Sequence, residues 1–246
     1  MAERISRALL PDNTSVADDG MATFGGVRTD DLVTQFGTPL FVYDEDHIRK
    51  RCQEAVKAFP DGVSYASKAF LCKAIAKLVH EEGMGLDVAT IGEAYIALQS
   101  GVPASDLTLH GNNKSMEELR YAVDNGIGKV VIDSFDEIDK IEHLYATTKT
   151  PIKALVRVTP GVEAYTHKYV TTGQVDSKFG FTVQNGQAGK AIERARSSGA
   201  IDLIGLHAHI GSQIFTSDSF RKSTDILVKL AEHFGLCLLY TSDAAD

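Results

Sequence analysis

The sequence predicts an α/β fold, a (β/α)8 barrel of the TIM type that is incomplete, and three observations carry the prediction. Short extended apolar runs alternate with amphipathic ones, the rhythm of parallel strands joined by crossover helices. Six such units follow one another, and no strand-to-helix turn carries the G-x-G-x-x-G of a dinucleotide-binding sheet, which favours a barrel over a doubly wound fold. Several helical runs stop at a glycine, Gly83, Gly101, Gly126, Gly199 and Gly235, where a helix end takes a left-handed residue.

Asp12 to Asp31, rich in Asp, Gly and Thr, reads as a loose start. "PLFVYD" reads as a strand and "EDHIRKRCQEAVKAF" as an amphipathic helix. Strands are then expected at "VSYASK", "GLDVAT", "LTLHG", "KVVID", "KALVRV" and "IDLIGLHAHI". The helices between and after them are "LCKAIAKLVHEEG", "IGEAYIALQSG", "SMEELRYAVDNG", "FDEIDKIEHLYAT", "GQAGKAIERARSSG" and "SDSFRKSTDILVKLAEHFG". The polar stretch Thr159 to Asn185 is far longer than the usual connection of about two to six residues, and long loops in compact domains usually carry function.

Composition sets bounds on function. The chain has 246 residues, 43% hydrophobic and 24% charged, which is ordinary for a globular protein. A formal net charge of −8 argues against a nucleic-acid surface. The charged N-terminus has no apolar core of a signal peptide, and no run approaches about 18 apolar residues, so no membrane span is expected and a cytoplasmic location is. Cys52, Cys72 and Cys237 are widely spaced and read as reduced thiols without chemistry.

Strand parity sorts the polar residues. In "IGLHAHI" the face of Ile204, Leu206, Ala208 and Ile210 meets helices, which turns Gly205, His207 and His209 to the interior. The same rule sends Ser64, Ala66 and Lys68 inward, then Gly85, Asp87 and Ala89, then Thr108 and His110, then Arg157. The interior thus collects Lys68, Asp87, His110, Arg157, His207 and His209, with Asp87 offered as a counter-charge for Lys68. His207, one layer deeper, reads as a satisfied core residue. A lysine at a strand end usually faces solvent; small Ser64 and Ala66 below it and charged neighbours point Lys68 to a site instead.

A Schiff-base lysine suits this setting, since desolvation and nearby cations lower the pKa of its amine. Pyridoxal 5'-phosphate fits as cofactor, with Gly211 allowing close backbone approach and Ser212 a hydroxyl for the phosphate. A zinc site from His207, His209 and Asp87 is the competing reading, and it leaves Lys68 unexplained. No metal is assigned.

The motifs "YASKAF", "GLDVATIGE", "HGNNKS", "RVTPGVEAYTHKYVTTGQVDSKFGF" and "GLHAHIGSQIF", in this order and spacing, closely resemble diaminopimelate decarboxylase. That enzyme belongs with the barrel-type pyridoxal-phosphate decarboxylases, which include ornithine decarboxylase and, more distantly, alanine racemase. The likeness spans about Pro39 to Gly235. It implies that Lys68 binds the cofactor covalently, His209 stacks on its ring and Ser212 holds its phosphate. Asp87 and Arg157 match positions that line and orient it, and His110 and Asn112 match a motif at the barrel mouth. It implies α-decarboxylation of the amino acid meso-diaminopimelate to L-lysine by a homodimer; ornithine or arginine, or a non-catalytic cofactor-binding or subunit-associating relative, are the alternatives.

The chain also departs from the family. The glycine-rich phosphate loop and the Glu-Pro-Gly-Arg segment that would follow Gly235 have no counterpart, nor does the C-terminal β domain. Residues 1–43 are therefore expected to pack on a missing β domain, 44–240 to form an incomplete cofactor-binding barrel, and 241–246, "TSDAAD", to be a foreign tail. Such an N-terminal fragment is expected to be inactive alone.

Overall fold

The computed structural model describes residues 6–60, 62–162, 179–211 and 217–236. The chain divides into two compact units, Met1–Val63 with Glu81–Met84, and Ser64–His80 with Gly85–Asp246.

In the first unit, β1 (Ser15–Val16), β2 (Ala22–Phe24) and β3 (Val27–Arg28) form a small antiparallel sheet, followed by α1 (Thr29–Phe36) and α2 (Glu45–Ala58). The expected loose start is thus ordered. Strands of two or three residues are too short for alternation to show. "PLFVYD" is not a strand: residues 40–43 are irregular and Phe41 is 87% exposed. β-propensity needs a neighbouring surface to act on. Asp44 caps α2, its carboxylate accepting from the His47 amide and the Asn13 side chain, both at 3.0 Å.

The second unit is a mixed α/β assembly: β4 (Ser64–Ala66), α3 (Lys73–Glu81), β5 (Gly85–Val88), α4 (Ile91–Gln99), β6 (Leu107–Leu109), α5 (Met116–Asn125), β7 (Lys129–Ile132) and α6 (Phe135–Thr148), then β8 (Ile152–Thr159), β9 (Phe181–Thr182), α7 (Gln187–Ser197), β10 (Ile201–His207) and α8 (Ser217–Phe234). The strands pair in parallel in the order β4-β5-β6-β7-β8-β10, with the short β9 added on β8. Each strand of that path lies beside its predecessor, without the reversal of order that marks a doubly wound sheet.

Local chemistry fixes the helix starts. Thr90 and Ser115 each close a capping box with Glu93 and Glu118, and the Ser134 hydroxyl accepts from the Glu137 amide at the head of α6. At the C-terminal end of α5, Gly126 takes the left-handed conformation (φ 69°). Gly199 does not; α7 ends instead at Ser197, with Ser198 extended.

One face of the strands, carrying Val88, Leu109, Val130, Ile132, Ala154, Val156 and Leu206, packs with Leu119, Ile138, Ile141, Ile192 and Leu227 from the helices. Burying each large aliphatic side chain contributes about 1.5–3 kcal/mol. Parity fails at one point. The β8–β10 register shifts between Leu203 and Gly205, a bulge that puts Leu203, rather than Ile204, against the helix-side core. Beyond the bulge the alternation resumes, so Gly205 and His207 keep the expected face, His207 level with Arg157.

Candidate active site

The polar residues sit at the C-terminal ends of the strands in the second unit. Ala66, Asp87 and Thr108 are aligned across β4, β5 and β6 and share the face opposite the helix-side core. His110 follows β6 on the same face, its amide donating to the Val88 carbonyl at 2.8 Å. Arg157 on β8 is level with His207 on β10, and Asp133 lies just past β7 beside them.

These groups form two linked clusters. In one, His110 Nε2 lies 3.3 Å from Asp87 Oδ2, close but not aligned as a hydrogen bond, and the His110 ring meets His207 edge-on at 5.0 Å. In the other, Arg157 Nη1 donates to Asp133 Oδ1 at 3.0 Å, and Asp133 Oδ2 accepts from the Gly180 amide at 3.0 Å. The Arg157 guanidinium stands 4.8 Å from the centre of the Phe179 ring, a cation–π contact.

His207 is 1% exposed, and both of its ring nitrogens lack hydrogen-bond partners among the described residues. It is therefore not the satisfied core residue expected from the sequence. Burial pushes its pKa well below the ordinary histidine value, and the positive fields of His110, Arg157, His209 and Lys114 add to the effect.

Lys68 differs from its expected setting. β4 ends at Ala66, and residues 67–69 form a turn, closed by the Ala69 amide donating to the Ala66 carbonyl at 3.2 Å. Lys68 is thus an exposed turn residue beyond the ladder, where strand parity no longer applies. His209 is half-buried and lies two residues past the end of β10; Asn112 is exposed. Ser212 lies outside the described residues. Among the described residues no group of three His, Cys, Asp or Glu side chains is placed to hold a metal.

Three participants escaped the sequence reading: Lys114, Asp133 and Glu137. Lys114 Nζ lies 2.9 Å from Glu137 Oε2, with both side chains almost wholly buried, and Glu137 also accepts the amides of Lys114 (3.0 Å) and Asp133 (2.9 Å). Asp133 ends the "KVVID" strand and was visible as a polar residue at a strand end, whereas Lys114, inside "HGNNKS", looks like a loop lysine. Glu137 sits at the third position of a helix and looks like part of its cap, as it also is.

The arrangement suits a polar small molecule. Ser67 Oγ, Asp87 Oδ1, Thr108 Oγ1, His110 Nε2 and both His207 nitrogens are buried without hydrogen-bond partners among the described residues. Buried polar atoms ordinarily find partners, so such a cluster suits a ligand or water that supplies them. The family profile described as pyridoxal-dependent decarboxylase, pyridoxal binding domain, matches residues 45–237. The chain belongs to that family. It is 47% identical over 215 residues to diaminopimelate decarboxylase of Bacillus subtilis (85% of this chain, 49% of the relative). Against the Mycobacterium tuberculosis (H37Rv) protein of that name it is 43% identical over 222 residues (89% and 50%). The crystal structure of diaminopimelate decarboxylase from M. jannaschii in complex with L-lysine superposes with a TM-score of 0.83 at 31% identity, covering 94% of this chain and 56% of that one. The chain thus spans about half the length of the curated relatives it matches.

Proposed function

We propose that this chain supplies the pyridoxal-phosphate-binding part of a decarboxylase that converts meso-diaminopimelate to L-lysine and carbon dioxide. The observation that carries the reading is the match to the pyridoxal-binding domain across residues 45–237, which includes every strand end of the second unit. The names of the relatives and the lysine complex of the M. jannaschii protein favour diaminopimelate over other basic amino acids. Pyridoxal phosphate, when bound, supplies the electron sink that takes up the carbanion left by the departing carboxylate.

The residues of this chain bind and orient. Lys68, in the turn after β4, would hold the cofactor covalently through its amine. His209 would lie against the cofactor ring and Ser212 would hold its phosphate. Asp87 and Arg157 line and orient the site, with His110 and Asn112 at the mouth.

The sequential parallel order of the strands is the one a barrel requires, and we place the second unit as part of a (β/α)8 barrel completed by further chain. Residues 1–43 then pack on a β domain, a role consistent with the exposed Phe36, Leu40 and Phe41 of the first unit. We take the working protein to be a cytoplasmic homodimer.

Borohydride reduction of the full-length protein with pyridoxal phosphate, followed by peptide mapping, tests the anchor. A pyridoxyl adduct on Lys68 is expected, together with carbon dioxide release from meso-diaminopimelate. An adduct on another lysine, or none, overturns the assignment, and release from ornithine or arginine alone overturns the choice of substrate.

A further inference from the structure

Lys114 is among the largest wholly buried side chains described, and burial is the chief cause holding its ammonium below the ordinary lysine pKa. Such a group is expensive to bury unless every donor is satisfied. Here all are. Of the three ammonium donors, one faces Glu137 Oε2 at 2.9 Å, one reaches the Gly111 carbonyl and one the Val131 carbonyl, both at 2.6 Å. The Glu137 side chain is equally buried, and its two oxygens are taken up by Lys114 Nζ and by the amides of Lys114 and Asp133.

An apolar pair of similar volume would serve stability as well as a buried ion pair. What the ions add is direction. Glu137 fixes the Asp133 backbone at the end of β7; the Asp133 carboxylate then divides between the Arg157 guanidinium and the Gly180 amide. From the other end, Lys114 pins the Gly111 carbonyl, one residue beyond His110. Both polar clusters of the site are therefore tethered to one buried pair.

We propose that the Lys114–Glu137 pair is a positioning device that acts through Asp133 to aim Arg157 at the anionic groups of the ligand. The assignment rests on the reading of this site as the cofactor site. Lys114 and Glu137 are positioning residues, not catalytic ones, because carbonyls and amides of the chain surround them on the sides described.

The test uses the full-length protein free of cofactor and a double substitution, Lys114→Met with Glu137→Leu, which removes both charges together. Two quantities are read: hydrogen exchange of the Gly180 amide, and the affinity for pyridoxal phosphate by absorbance titration. Exchange about tenfold faster and binding about tenfold weaker are expected, the factor that one charge-assisted hydrogen bond represents, while the amides of α4 exchange as in the wild type. Should the double variant fail to fold, Asp133→Asn leaves the pair intact, cuts the next link and is expected to produce the same two changes.

In the double-variant background Asp133→Asn should weaken binding no further, a non-additivity that a merely structural role would not produce. Wild-type exchange at Gly180, or additive losses, overturns the proposal. If the wild-type protein itself takes up no pyridoxal phosphate, the cofactor reading falls, and the Gly180 exchange rate still decides the positioning link.

Discussion

His207 offers a stability test with a definite sign. In the folded protein burial keeps its pKa well below 6.5, whereas in the unfolded chain it titrates near the ordinary value of about 6.5. Between the two values the unfolded state binds more protons than the folded one, so stability falls as pH falls. Above about pH 6.5 both states are neutral and the contribution vanishes. Each pH unit below 6.5 over which His207 stays neutral in the folded state lowers stability by about 1.4 kcal/mol. His207→Leu removes the titration and replaces two unpartnered nitrogens by apolar surface, while the remaining carboxylates and histidines are common to both proteins. Urea unfolding of wild type and variant, followed by circular dichroism from pH 7.5 to 4.5, should give stability curves that run parallel above pH 6.5. Below it they should diverge, the wild type losing up to about 1.4 kcal/mol per pH unit that the variant keeps. Curves that stay parallel throughout would show that the imidazole is protonated or hydrogen-bonded in the folded state.

Phe181 is 2% exposed and meets Phe135 edge-on at 4.8 Å; Phe181→Ala should cost about 3–5 kcal/mol, read from the same urea transitions. Gly180 has φ 68°, and a Cβ there would come within 2.8 Å of the Arg157 carbonyl and 3.0 Å of its Cγ, so Gly180→Ala should displace Arg157. A pyridoxal-phosphate affinity reduced about tenfold or more, roughly one lost charge-assisted hydrogen bond, is the expected result, and an unchanged affinity would show that Arg157 does not bear on the ligand.

The order of strands and helices was legible because each strand buries one face against helices, and that constraint writes period-two alternation into "GLDVA", "KALVRV" and "IGLHAHI". Asp87, His110, Arg157 and His207 could be placed on one face by the same rule. It failed where the backbone leaves the ladder. The bulge at Leu203–Gly205 shifts the face of Ile204, and the turn after Ala66 takes Lys68 out of the alternation. Lys114 and Glu137 were illegible for another reason. Lys114 looks like a loop lysine and Glu137 like a helix cap, and only their meeting across 23 residues of sequence makes them a buried pair. The strands of the first unit are too short to carry any period.

β8 is the longest strand, and its outer flank is shared: β10 occupies it from Ile152 to Arg157, then β9 takes over at Val158 and Thr159. Chain leaving that strand and chain returning to it are therefore paired side by side from the residue after Arg157. The side chain of residue 157 thus sits where two stretches of chain distant in sequence are held on one flank of a single strand.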